Sequence, residues 1–180
     1  MIRWVMAAFL AAGLGFGDVT KCACDIGNPG GMRARECSLC AEAEKQPADA
    51  EIFFLKDINP RKPNRWLALP RVHGTVGHPL HELDRAAQAK LWNAAIAKAK
   101  QVWGGEWGIA YNSEKHRTQC HGHVHIGKLL KGLAPGKFYD VDRVEQIRVP
   151  TDGTGIWFHP VGRKIRVHTG EGITETALLR

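Results

Sequence analysis

The alternation of apolar and polar positions predicts short strands grouped around a long helix. Alternating or continuous apolar runs predict strands at residues 52–57, 65–69, 107–112, 121–126, 146–149, 156–159 and 164–168. Between His81 and Val102 the apolar residues recur with the spacing of an amphipathic helix, and Gly104 and Gly105 indicate where that helix ends. We therefore expect an α+β fold in which an antiparallel sheet packs on one long helix.

The chain begins with a segment that is typical of an export signal. Residues 1–17 combine Arg3, an apolar run from Trp4 to Leu14, and the small residues Gly15 and Gly17. A cleaved signal peptide is the first interpretation, and an uncleaved membrane anchor is the alternative. Both predict a secreted or periplasmic protein, which the anchor would attach to the inner membrane.

The composition changes after this segment. Residues 18–50 are rich in cysteine, glycine and arginine without sustained periodicity, which predicts an irregular Cys-rich arm. Residues 51–130 hold the motifs described below, and we expect residues 131–180 to complete the same domain with short strands. His159 and His168 lie in that last part without the spacing of a metal site, and we interpret both as structural histidines.

The length of the chain indicates one globular domain, and its net charge indicates the kind of partner it binds. The chain has 180 residues, of which 44% are hydrophobic, so it is long enough to bury the core of one globular domain. Its formal net charge is +7, and a basic surface favours anionic partners, among them phosphate groups.

The segment from His121 to Ile126 alternates three histidines with small or apolar residues. On a strand the imidazoles share one face at intervals of roughly 7 Å, while Val124 and Ile126 face the other side. One tetrahedral metal ion, with bonds of about 2 Å, does not readily reach all three. The spacing therefore indicates divided roles, and a neutral imidazole can act as a nucleophile toward phosphorus. The alternative is a pH-sensing or adventitious metal patch.

Two stretches of sequence together resemble the histidine triad superfamily of nucleotide hydrolases and transferases. The H-φ-H-φ-H motif of that family matches His121, His123 and His125, and a Cys37-x-x-Cys40 pair resembles the one that opens many zinc-bearing members. An upstream motif matches at Asp57, Ile58, Asn59, Pro60, Pro63, Leu67, Pro70 and His73. The segment Asn112 to Cys120 is similar to that of the bacterial CDP-diacylglycerol pyrophosphatases. The resemblance covers roughly residues 37–130 and implies a HIT-like fold.

The resemblance implies catalytic roles for residues of the histidine run and the segment before it. His123 would be the nucleophile that becomes nucleotidylated, and His125 would orient it or stabilise charge. Thr118 and Gln119 would hold phosphate oxygens and the leaving group.

Substrate-binding roles follow from the same resemblance. Asn112 would bind phosphate oxygens and Asp57 the ribose hydroxyls. Arg117 directly precedes Thr118, and this position alone predicts that it adds positive charge at the site; a solvated surface arginine is the alternative. Arg65 stands where the family has a fourth histidine. A guanidinium is not a base at neutral pH, but it can clamp a phosphate with two hydrogen bonds. A surface arginine at the start of a strand is the alternative.

The five cysteines allow three interpretations. The resemblance implies a structural zinc ion held by Cys37, Cys40, His73 and His121, a ligand set that suits tetrahedral zinc. A second interpretation is a four-cysteine site formed by Cys22, Cys24, Cys37 and Cys40. A third is disulfides, which export to an oxidising compartment favours.

We expect from these features a hydrolase of the histidine triad type. It would cleave a phosphoanhydride in a nucleotide-containing diphosphate, such as CDP-diacylglycerol or another nucleoside-diphosphate conjugate, through a nucleotidyl-histidine intermediate. The alternatives are a nucleotidyltransferase of the same superfamily and a zinc-stabilised nucleotide-binding module without turnover. No nucleic-acid partner is expected, and a homodimer is the assembly that many relatives adopt.

Overall fold

The structure is a computed structural model, and it describes residues 19, 22, 24–72, 79–133 and 136–180. The predicted export segment and His73 lie outside the described residues. The fold is α+β, with a Cys-rich N-terminal region and an antiparallel sheet of seven strands in the order β1-β2-β4-β3-β6-β7-β5. The strands are β1 (Ile52–Lys56), β2 (Trp66–Pro70), β3 (Trp107–Tyr111), β4 (Val124–Lys128), β5 (Lys137–Val141), β6 (Gly155–Val161) and β7 (Lys164–Glu171).

Two α-helices accompany this sheet, α1 (Ser38–Glu44) and α2 (Arg85–Trp103). Helix α2 starts at Asp84, whose carboxylate accepts a hydrogen bond from the backbone N–H of Ala87, and it ends at Gly104, which has a φ of 58°. Its buried face, which includes Trp92, packs on one face of the sheet and forms the main hydrophobic core. Among the described residues, no helix is long and apolar enough to cross a membrane.

The opposite face of the sheet is covered by two separate segments. Helix α1 belongs to the arm and packs Leu39 and Ala43 against Leu67 and Leu69 of β2. At the centre of the same face, residues 174–179 of the C-terminal segment run beside β4, where Leu129 and Leu178 form an isolated bridge. The candidate functional site lies between helix α1 and the C-terminal segment.

Three local predictions were wrong. Strand β4 begins at Val124 rather than His121, because Cys120 is tied to the arm by a disulfide and by the hydrogen bond from its N–H to the carbonyl of Glu36. Residues 146–149 form no strand, although Ile147 and Val149 are buried in the core. The arm was predicted to be irregular, but it contains helix α1. In addition, strand β5 was missed, because most of its residues are exposed.

Candidate functional site

A cleft of about 680 Å³ opens on the sheet face that α2 does not cover. Its walls come from α1, from the loop after β1, from the segment between β3 and β4, and from the C-terminal segment. The cleft brings together most of the predicted site residues: Asp57, Asn112, Arg117, Thr118, Gln119, His123 and His125. Segments far apart in sequence thus converge on one site.

The alternation predicted for the histidine run holds around His123 and His125. Val124 and Ile126 are fully buried in the core beneath α2, while His123 and His125 line the cleft on the other face. The two imidazole centroids are 5.1 Å apart, with the rings at 74° to each other. The two rings are therefore roughly perpendicular to each other at the same wall of the cleft.

His123 has a defined tautomer. Its Nδ1 lies 2.8 Å from the carbonyl oxygen of His121, so Nδ1 carries the proton and donates it. Burial lowers the pKa of His123 to about 4, with Arg117 adding to that effect, so the ring is neutral at pH 7. Its Nε2 is consequently an unprotonated nitrogen on the side of the cleft.

His125 is held by Asn112 and faces Glu175. The Asn112 Nδ2 lies 3.4 Å from His125 Nε2, and the His125 Nδ1 lies 3.6 Å from a carboxylate oxygen of Glu175. Because an amide nitrogen can only donate, Nε2 of His125 is the acceptor and Nδ1 carries the proton toward Glu175. Burial lowers the pKa of His125 to about 3, although the nearby carboxylate opposes this shift.

Glu175 is the site residue that the sequence did not reveal. Its backbone N–H donates to Asn112 Oδ1 at 3.0 Å, and its carboxylate accepts from Asn112 Nδ2 at 3.3 Å. Lys62 and Arg65 both contact the same carboxylate oxygen. His125, Lys62 and Arg65 hold the pKa of Glu175 at about 2, against its burial, so the carboxylate is ionised. In the sequence Glu175 stands in a short C-terminal stretch without any motif.

Arg65 lies outside the cleft and is engaged by the C-terminal segment, which corrects the prediction of a phosphate clamp. Its side chain is 2% exposed and does not line the cleft. The guanidinium donates to the carboxylate of Glu175 at 2.6 Å and to the backbone carbonyls of Glu175, Leu178 and Leu179. The alternative of a surface arginine is also wrong. Arg65 instead holds the C-terminal segment, and with it Glu175, against the sheet.

Gln119 makes hydrogen bonds to the arm, which differ from the phosphate contacts that the resemblance implied. Its Oε1 accepts hydrogen bonds from Ser38 Oγ at 2.8 Å and Leu39 N at 3.4 Å, while Nε2 donates to the carbonyl of Arg35. Both ends of the amide are therefore engaged with the arm. Gln119 lines the cleft but positions α1, whereas the neighbouring Thr118 is exposed at the cleft wall.

The remaining predicted substrate contacts, Asp57 and Arg117, also line the cleft. Asp57 accepts a hydrogen bond from the N–H of Asn59, which fixes the loop after β1. Arg117 is buried, with its guanidinium 5.6 Å from the ring centroid of Tyr111. Lys56 and Arg35 also line the cleft, so cations flank the two histidines on several sides.

The cysteines form disulfides, which contradicts the predicted zinc ligand set. Cys22 is bonded to Cys120, and Cys24 is bonded to Cys40, which leaves Cys37 as the buried free thiol. Cys40 is thus not available as a thiolate, and the alternative of a site from the four arm cysteines fails for the same reason. His121 is fully buried beside Phe53, with the ring centroids 6.4 Å apart.

A different set of sulfurs could hold a metal. The Sγ atoms of Cys24, Cys37 and Cys120 all lie within 4.8 Å of one another and are buried. Cys24 and Cys120 form disulfides, so the three sulfurs could bind a metal only after these disulfides are reduced. The disulfides fit an oxidising extracellular or periplasmic location.

Neither a scan against models of protein families nor a search of the curated proteins finds a match to this chain. A function for the cleft therefore has to be inferred from its own residues.

Proposed function

We propose that the cleft hydrolyses a phosphoanhydride bond in a nucleotide-containing diphosphate, and that the chain is a member of the histidine triad superfamily. CDP-diacylglycerol or another nucleoside-diphosphate conjugate is the substrate class. The observation that carries this proposal is the state of His123. It is a buried, neutral imidazole whose Nδ1 is engaged by a backbone carbonyl and whose Nε2 is left for the cleft.

The proposed reaction has two displacements at one phosphorus atom. His123 Nε2 attacks the phosphorus next to the nucleoside, an N–P bond forms, and the anhydride P–O bond breaks with its electron pair leaving on the distal phosphate. Water then attacks the same phosphorus and gives up one proton to solvent, the N–P bond breaks with its electron pair returning to Nε2, and a nucleoside monophosphate is released. His123 regains its neutral form, with the proton still on Nδ1.

The charges around the cleft support a phosphate-containing substrate. Lys56, Lys62, Arg35 and Arg117 line it, and fixed cations in a partly desolvated site stabilise the charge that develops on phosphoryl oxygens. Asp57 also lines the cleft, and its carboxylate would accept hydrogen bonds from ribose hydroxyls.

We assign Glu175 a positioning role through His125. The carboxylate faces Nδ1 of His125 at 3.6 Å, and Asn112 binds both residues. A carboxylate beside Nδ1–H favours a single tautomer and stabilises any positive charge that the ring gains during the reaction. Arg65 and Lys62 keep Glu175 ionised, so this network takes the place of the missing fourth histidine.

A structural zinc ion and a homodimer remain proposals for this chain. Zinc would require the reduced form of Cys24, Cys37 and Cys120, and no step of the reaction passes through it. Export to an oxidising compartment accounts for the two disulfides.

A trapping experiment tests the proposed intermediate. The full chain is mixed with a nucleoside diphosphate conjugate that carries a radiolabel on the phosphorus next to the nucleoside, and is then quenched in base, which preserves phosphohistidine. We expect label on the wild type and none on His123→Ala. His81→Ala is the matched control, since His81 does not line the cleft. Label on His123→Ala, or turnover by that variant, contradicts the proposal, and tight nucleotide binding without turnover in the wild type indicates a binding module.

A further inference from the structure

A second group of histidines lies on the same sheet face, outside the cleft. In the pairing of β6 with β7, Trp157 is opposite His168 and His159 is opposite Arg166. Since residues two apart on a strand share a face, His159 and His168 are diagonal neighbours. Their Nε2 atoms are 3.2 Å apart.

The position of the His168 ring is fixed by stacking. Its centroid lies 3.6 Å from that of Trp157, with the planes at 3°, and the indole N–H donates to Glu171 at 2.9 Å. The His168 side chain is 3% exposed. One ligand nitrogen is thus held in place before any ion arrives, which lowers the entropic cost of binding.

The Nε2 of His159 is available as a ligand, and the Nε2 of His168 becomes available through a change of tautomer. His159 Nδ1 lies 3.2 Å from the carbonyl of Pro160, so its proton is on Nδ1 and its Nε2 carries a lone pair. His168 Nδ1 makes no hydrogen bond to any described residue. Its proton can therefore move from Nε2 to Nδ1 without breaking a bond there.

Two imidazole nitrogens at this distance have to share either a proton or a cation. A tetrahedral ion with bonds of about 2.0–2.1 Å holds two ligand nitrogens roughly 3.3 Å apart, close to the observed separation. The nearest cationic side chain, Arg166, donates to Asp140 at 2.8 and 3.0 Å, so the pair faces a neutralised guanidinium.

We propose that His159 and His168 bind one divalent transition-metal ion through their Nε2 atoms, with water in the remaining positions. Imidazole ligands suit Zn²⁺, Ni²⁺ and Cu²⁺, and Cu²⁺ binds most tightly in that series. The ion reaches the site from the side of His159, which is half-buried. The site is independent of the reaction proposed for the cleft.

Calorimetric titration of the full chain with NiCl₂ tests the site. The parent is Cys37→Ser, which removes the free thiol as a competing ligand, and the variants are His159→Asn, His168→Asn and His123→Asn in that background. We expect His159→Asn and His168→Asn to lose one equivalent of bound nickel and His123→Asn to keep it. Because His168 is buried and its variant can fail to fold, the half-buried His159 decides the outcome.

Fluorescence gives a second readout at the same site. A Cu²⁺ ion beside the stacked Trp157 quenches its emission, so we expect quenching in the parent that is lost in both His159→Asn and Trp157→Phe. A nickel isotherm and a quenching curve that are the same in the parent and in His159→Asn overturn the proposal, and the two nitrogens then share only a proton.

Discussion

Two pairs of histidines occupy one face of the same sheet, but they are held by different physical means. His125 is opposite Ala110, Ala110 is opposite Trp157, and Trp157 is opposite His168, so the pairs lie along one row across four strands. His123 and His125 sit within a network of charges and amides. His159 and His168 sit on an aromatic ring and contact each other directly.

The difference follows from the C-terminal segment that separates the pairs. Trp157 packs against Ala177 and Leu178 of that segment. Glu175, in the same segment, lies beside His125. Burial lowers the pKa of His123 and of His168 to about 4 alike. A depressed pKa therefore does not distinguish a reactive imidazole from a structural or ligating one. What distinguishes them is the cleft beside His123.

The largest effect that we expect is on the charge network. In Arg65→Lys the buried guanidinium loses its bonds to three carbonyls and part of its ion pair with Glu175, and we expect a loss of about 3 kcal/mol of unfolding free energy in a urea titration. Arg166→Lys is the matched control, because its pair with Asp140 lies at the surface and is screened by solvent. Equal stability losses in the two variants would show that the network does not brace the cleft.

The same variant separates the two roles considered for Arg65. A phosphate clamp would raise KM, whereas a structural brace lowers stability and leaves KM of the folded enzyme largely unchanged. Measuring KM at a temperature where Arg65→Lys is folded distinguishes them.

Replacing Glu175 by Gln tests the network closer to the chemistry. The amide keeps the size of the side chain but removes the negative charge that faces His125, so we expect kcat to fall by roughly 10- to 100-fold with little change in KM. Glu145→Gln, at an exposed position outside the cleft, is the control. A shift of the acid limb in the pH profile accompanies the loss if Glu175 acts through His125, and a purely structural role would leave that limb in place.

These residues also show what the sequence could reveal. Asp57, Asn112 and His123 were predictable, because local motifs carry them and the strand period places His123 and His125 on one face. The disulfide partners, the role of Arg65 and the contribution of Glu175 were not, since each depends on a contact between segments about 16 to 110 residues apart. The His159–His168 contact was missed because diagonal pairing depends on strand register, which the spacing of two histidines does not fix.

Acid titration should affect both pairs. The folded-state pKa values of His123, His125 and His168 lie below the ordinary value of 6.5, so the unfolded chain binds protons that the folded chain does not. Their contribution to stability is complete above pH 6.5 and is lost as the pH falls toward 4. We expect the urea midpoint to decline over this range, and the acid limb of kcat/KM to lie near pH 4. An acid limb near 6.5 would mean that His123 is solvated and not held as described.

The smallest effect on stability that we expect comes from the cysteine of the arm that forms no disulfide. Disulfides of the arm lie next to the cleft but not next to the His159–His168 pair. Cys37 Sγ donates to Cys120 Sγ at 3.9 Å but forms no disulfide, so Cys37→Ser should lower stability less than the loss of a disulfide does. Denatured, unreduced wild type should contain one titratable thiol and Cys37→Ser none, with no zinc in either by elemental analysis.

Cys120→Ser is the contrasting variant, since it breaks the disulfide between the arm and the segment before His121 and should lower both stability and turnover. Five thiols together with one equivalent of zinc would instead assign the sulfur cluster to a metal, and the cleft would then depend on the redox state of the arm.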